Sequence, residues 1–175
     1  MPRDIEAILT HLEDTRERLL ASVTDLSPET FARRPAENQW SVAEVLDHLA
    51  ILEASLVPLF HDLVLGRRKP RIRLFDRLRR LPPSLSVHRF LKGRAPKRVE
   101  PGVVQPRATL LARLADSRLA LRALIEDTRE RDLSRLAWVH FVFGALSLDD
   151  WFYFIGYHEE RHRRQILEIR NTLRA

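Results

Sequence analysis

The residues His158-Glu159-Glu160-Arg161-His162 carry two imidazoles four positions apart. On a helix that spacing puts both rings on one side, one turn above the other. Trp151, Ile155, Ile166 and Ile169 recur with them at intervals of three, four and seven, which is the core-facing stripe of a bundle helix. Two inward imidazoles need partners, because an unsatisfied buried polar group costs stability. A shared metal ion satisfies both. Read literally, the five residues also match H-E-x-x-H, the zinc-protease pattern with glutamate as general base. That pattern needs a third ligand further along the chain. Only Arg163 to Ala175 follow, with Glu168 the sole candidate, so the protease is set aside.

The third ligand is better sought upstream. Ser41-Val42-Ala43-Glu44 is a capping box that opens a helix expected to run to about Leu65. His48 lies between Val45 and Leu52 on one edge of its apolar face, alongside Leu49, Leu56 and Leu59. Alone it reads as an ordinary half-buried histidine. With a metal in place it completes a three-histidine set inside a bundle, where such sites are commonly built.

Further segments position these residues. Asp4 to Thr24 reads as a first helix with the stripe Ile5, Leu9, Leu12, Arg16, Leu19 and Val23, Arg16 snorkelling and His11 solvated. A short turn begins at Pro28, the first helical position, and stops before Pro35. Arg107 to Arg129 is a third long helix, and Ser147-Leu148-Asp149-Asp150 opens the fourth with a serine cap and two carboxylates suited to the helix dipole. Between the second and third, residues 66–106 hold six of the ten prolines, which forbids a long helix there. Leu74 to Leu81 is the one short amphipathic piece in it. A connector of this length suggests a crossover that lets the second and third helices run parallel. Leu136 to Leu146 reads as an aromatic connection across one bundle end, with His140 in it, Gly144 as its turn, and no strand anywhere in the chain. The expected fold is therefore all-α, a four-helix bundle with a long crossover.

Composition narrows the function. At 175 residues, 45% of them hydrophobic and only five of them glycine, the chain should form a single domain, 1–175, and bury about 70% of its unfolded surface. It has no cysteine, which leaves histidine and carboxylate as the strong metal ligands. Alternating charges in Met1 to Leu20 argue against a signal peptide. The longest uncharged apolar stretch, Leu136 to Leu148, is too short for a bilayer, which takes about 20 residues. A cytoplasmic protein with no membrane partner is expected. The net charge of +6 comes from arginine, since only Lys69, Lys92 and Lys97 are lysines. Such a bias more often reflects genomic base composition than a nucleic-acid surface. The basic run from Arg67 to Arg80 has Phe75 as its only aromatic and no recognised binding motif, so it reads as a solvated loop and no nucleic-acid partner is expected.

The segment Arg34-Pro35 through Trp40-Ser41-Val42-Ala43-Glu44-Val45-Leu46-Asp47-His48-Leu49 resembles the first signature of the DinB-like (DinB/YfiT) metalloprotein superfamily. Phe143-Gly144-Ala145-Leu146-Ser147, with His158-Glu159-Glu160-Arg161-His162-Arg163-Arg164-Gln165-Ile166, is similar to its second. The resemblance implies an up-down-down-up bundle, often a homodimer, with the family's three histidines falling on His48, His158 and His162. It also implies thiol-dependent transferases and isomerases that use low-molecular-weight thiols. The family name refers to DNA-damage induction and implies no DNA chemistry.

The expectation is thus a divalent metal, zinc ahead of nickel, on His48, His158 and His162. Glu159 would serve as a neighbour of the ligands or as a solvated carboxylate. The metal-held nucleophile would be a low-molecular-weight thiol attacking a small electrophile, with hydrolysis by bound water or a non-catalytic stress-response module as alternatives. Trp138, Phe141 and Phe143 offer apolar surface for a second copy or simply seal the bundle end.

Overall fold

The computed structural model describes residues 4–70, 72–78, 81–88 and 96–174. Four long helices dominate: α1 (Ile5–Ala21), α3 (Val42–Val64), α5 (Arg107–Asp127) and α6 (Leu148–Arg174). Two short ones, α2 (Pro28–Ala32) and α4 (Leu74–Leu78), lie between them. Their starts follow the local chemistry. The Asp4 side chain accepts from the Glu6 amide, and Ser41 and Glu44 exchange the two bonds of a capping box. Ser147 accepts from the Asp150 amide at the head of α6. No described helix is long and apolar enough to cross a membrane.

The side-chain pairs fix the helix directions. Along the α1–α6 seam His11 meets Tyr153, Arg16 meets Glu159, and Arg170 reaches the Ser22 carbonyl, so the two helices run parallel. Arg113 bonds Asp47 and Arg118 bonds Glu53, which makes α5 parallel to α3. Contacts of Arg122 with Glu13 and Arg129 with Glu6 set α5 against α1, and Phe60 beside Trp151 with His48 beside His162 sets α3 against α6. The topology is up-down-down-up, and the proline-rich connector is the crossover that a parallel α3–α5 pair requires.

A polar layer divides the core at mid-height. One part of the core gathers Ile8, Leu12, Phe60, Leu121, Leu146 and Phe152; the other gathers Leu19, Val45, Leu46, Leu110, Leu114 and Ile166. Between them each long helix contributes one charged residue: Arg16, Glu53, Arg118 and Glu159, all buried. Arg16 bonds Glu159 at 2.6 Å and Glu53 at 3.0 Å, and Arg118 reaches both carboxylates at 3.0 Å. Thr15 and Ser117 add hydroxyl bonds, while the two guanidinium groups also donate to the Leu114 and Leu12 carbonyls. Two positive and two negative groups leave no net charge, and the bonds compensate for their loss of water. Arg16 therefore does not snorkel, as its place in an apolar stripe suggested. It is an internal tie.

Residues 137–147 depart from the expected irregular connection. They form an antiparallel hairpin, β1 (Ala137–His140) and β2 (Gly144–Ser147), in register from Ala137 opposite Ser147 to His140 opposite Gly144. Gly144 takes φ 77° where the turn enters β2, a region open to glycine at little cost. A lone two-stranded hairpin is marginal in water. Here the bundle supports it, through the Trp151 indole donating to the Trp138 carbonyl at 3.0 Å and the buried side chains of Phe143 and Leu146. Four-residue strands carry too little periodicity to be read in the sequence.

Of the basic run, Arg68 lies over the Trp138 ring and near Asp62; Arg79 and Arg80 lie outside the described residues.

Candidate metal centre

His48 of α3 and His158 and His162 of α6 come together, one ring nitrogen of each lying within 4.8 Å of the others. The antiparallel crossing of α3 and α6 does this, since one turn of α6 then faces a single position of α3. The rings sit close, with centroids 4.5 Å apart for His158 and His162 and 4.8 Å for His48 and His162.

Two of the rings are held from behind. Nδ1 of His48 donates to the Val99 carbonyl at 2.6 Å, and Nδ1 of His162 faces Oε1 of Gln165 at 2.9 Å. Bonds of this kind fix the tautomer and turn Nε2 toward a metal. Nε2 of His162 is then a lone pair, 3.3 Å from Nε2 of His158. The two nitrogens are joined either by a proton carried on Nε2 of His158 or by a shared cation. That one distance matches an edge of a zinc site: a tetrahedron with ligand nitrogens about 2.0–2.1 Å from its centre has edges of about 3.3–3.4 Å. Burial lowers the pKa of His48, against the Val99 bond that raises it. Burial, then the charges of His162 and His48, hold His158 well below the ordinary imidazole value. Both are neutral at pH 7 and ready to coordinate.

The connector supplies Val99, which explains part of its length. Its 97–102 stretch is pinned to α3 by the Gly102 amide donating to Asp47 at 2.9 Å, and Arg113 holds the other oxygen of that carboxylate. Arg161 secures the preceding part through the Ser86 and His88 carbonyls. Trp40 covers the rings from the loop before α3, 5.0 Å from His48 and stacked 6.4 Å from His162. Gln165 could have been read from its i, i+3 spacing to His162; no sequence signal marks Val99, because a backbone carbonyl carries none.

Glu159 is not beside the histidines in function. It is 1% exposed, and its carboxylate is engaged by Arg16, Arg118 and Thr15. Neither a solvated carboxylate nor a partner of the ligands describes it. The base that the H-E-x-x-H pattern requires is therefore turned into the core, which removes the protease reading on structural grounds. His11, expected in solvent, is also half-buried and donates from Nε2 to the Tyr153 carbonyl at 3.2 Å.

Over the triad opens a cleft of about 1570 Å³, lined by α3, α6, the hairpin and the connector. His140 lies in its wall. The Nδ1 atom accepts from the Val142 and Phe143 amides at 3.0 and 3.2 Å, which places the ring hydrogen on Nε2.

The sequence matches the DinB superfamily model over residues 11–166. The chain belongs to the DinB superfamily. It is 30% identical over 149 residues to the uncharacterized protein YuaE of Bacillus subtilis (strain 168), covering 85% of this chain and 88% of that one. Two solved four-helix bundles share the fold. TT2238 is 19% identical with a TM-score of 0.63, covering 94% of this chain and 99% of that one. YfiT of Bacillus subtilis, described as a probable metal-dependent hydrolase of unusual bundle topology, is 18% identical with a TM-score of 0.65, covering 99% and 93%. Membership in the DinB superfamily accounts for the bundle; the candidate metal centre rests on the side chains of this chain.

Proposed function

We propose that this DinB-superfamily protein is a metal-dependent enzyme joining a low-molecular-weight thiol to an electrophilic small molecule. His48, His158 and His162 are the ligands in this reading, with zinc ahead of nickel. The observation that carries it is the convergence of three ring nitrogens on the floor of an open cleft, because three protein ligands leave coordination positions for a reactant. A divalent ion held by neutral imidazoles keeps its full charge and lowers the pKa of a thiol or water beside it.

The chain's own residues do the positioning. Val99 and Gln165 hold His48 and His162 as ligands rather than as acids or bases. Trp40 covers one side of the rings. With no cysteine in the chain, the sulfur comes from the small thiol. It forms a bond to the electrophilic carbon, the leaving group departs with its bonding pair, and the thiol proton passes to solvent. Glu159 argues against protease-type hydrolysis. Its carboxylate is held in the ion quartet, so the base that protease-type hydrolysis uses is missing, while a thiolate needs none. Metal-assisted hydrolysis is the second reading, favoured by the description of YfiT.

A panel of small thiols with a chromogenic electrophile, run with zinc-loaded and chelated protein, tests the proposal. A rate with at least one thiol that chelation abolishes is expected. Equal rates with and without metal, or ester hydrolysis with no thiol-dependent rate, would overturn it.

A further inference from the structure

The cleft has two unlike lobes with the triad at their junction. Along α6 the wall residues run Trp151, Phe154, His158, His162, Gln165, Glu168 and Thr172, a single face of the helix. Toward the hairpin the lining includes Trp138, His140, Phe141, Phe143, Trp151 and Phe154, with Leu52, Ser55 and Leu56 of α3. Toward the other end it includes Arg34, Asn38, Gln39, Gln165, Glu168 and Thr172, with Trp40 and Ile169 beside them. The volume of about 1570 Å³ exceeds the 300–1,000 Å³ that pockets for one small ligand usually have.

The aromatic lobe has a built shape. Trp151 and Phe154 form its floor, buried and packed edge to face at 5.3 Å, and Phe154 stands 5.4 Å from the His158 ring. Phe141, at the hairpin turn, stacks on His140 at 4.7 Å yet leaves 57% of its surface exposed. Its position on the rim makes it the ring a ligand would cover. Flat apolar groups gain from ring contacts of this kind beyond the area they bury.

The geometry points to the hairpin lobe as the subsite for a planar, apolar, aryl-sized group of the substrate, with Phe141 and Trp138 setting the preference. This rests on the metal-dependent reading above and names the class of its electrophile; the polar lobe is left for the other reactant.

Two zinc-chelating hydroxamates separate the possibilities. Zinc-loaded full-length protein is titrated calorimetrically with acetohydroxamate and with benzohydroxamate, which share the chelating group and differ in the phenyl ring. Benzohydroxamate should bind at least tenfold more tightly, and Phe141→Ser and Trp138→Ser should each cut that preference to about threefold or less while acetohydroxamate affinity holds. Equal affinity of the two in the parent protein overturns the subsite but leaves the open metal position intact. If neither binds zinc-loaded protein, the open position fails instead. The subsite is then decided by 1-anilinonaphthalene-8-sulfonate on chelated protein: fluorescence uptake lost in both variants supports it, and uptake unchanged by them overturns it.

Discussion

At the scale of the residue, what distinguishes His48, His158 and His162 from the other histidines is the direction of Nε2. Val99 and Gln165 occupy Nδ1 of two of them, which turns Nε2 toward a common centre. Tag-free protein expressed in zinc-supplemented medium should carry about one zinc per chain by elemental analysis, and the His48→Ala, His158→Ala double variant should carry less than a tenth of that. Full occupancy in the double variant would remove the site. Gln165→Leu tests the support rather than the ligand. It should weaken zinc binding about 10- to 100-fold, the usual cost of losing such a partner, as read by competition with a chromogenic chelator. An affinity unchanged in that variant would show that the Gln165 bond orients nothing.

At the scale of the element, the α1–α6 seam depends on one missing side chain. Gly156 has no Cβ, and one placed there would collide with the His11 ring, which sits between Tyr153 and Tyr157 at 5.2 and 4.6 Å. Gly156→Ala should gain helix propensity but lose this packing, whereas in a His11→Ala background only the gain of up to about 1 kcal/mol remains. Chemical denaturation of the four proteins should therefore give a double-mutant cycle in which His11→Ala relieves the cost of Gly156→Ala. Additive effects would mean that the ring moves aside freely. The same histidine predicts a pH dependence. Burial, opposed by the Tyr153 bond, lowers its folded-state pKa, so around pH 6 the unfolded chain binds more protons at this position. The His11 contribution is complete above about pH 6.5, the ordinary imidazole value, and is lost as pH falls through the folded-state value. Melting temperatures of the parent and His11→Gln, compared from pH 7.5 to 5, should converge as pH falls. A gap that widens on acidification would contradict this.

At the scale of the whole molecule, the quartet of Arg16, Glu53, Arg118 and Glu159 ties four helices at one level. Its net charge of zero is the condition for burying it. Glu159→Gln removes one charge and leaves two guanidinium groups facing one carboxylate. That should destabilise the fold by about 3–5 kcal/mol, the range for a broken buried pair, measured by urea denaturation. Zinc content after purification at low temperature should stay near that of the parent, because Glu159 faces the core. A variant of parental stability that fails to bind zinc would reverse the assignment and return Glu159 to the metal.

The sequence by itself determined the four long helices, their starts and the crossover. Apolar spacing, capping residues and proline act through neighbours three or four positions away, so Ser41 with Glu44 and the stripe from Trp151 to Ile169 are written locally. The i, i+4 spacing of His158 and His162 was legible for the same reason, and the motif around His48 pointed to the third ring. Only the tertiary structure decided what those rings rest on and which way their charged neighbours turn. Glu159 follows His158 directly, yet the 100° step to the next helical position carries it off the cleft and onto Arg16 and Arg118. Those two lie about a hundred residues apart in sequence and meet only because α1 and α5 pack antiparallel. Arg16 reads as snorkelling and His11 as solvated until that packing is known, since burial is a property of the assembled bundle. The hairpin strands and the Val99 carbonyl are set by pairing across space, which leaves no periodic trace in the chain.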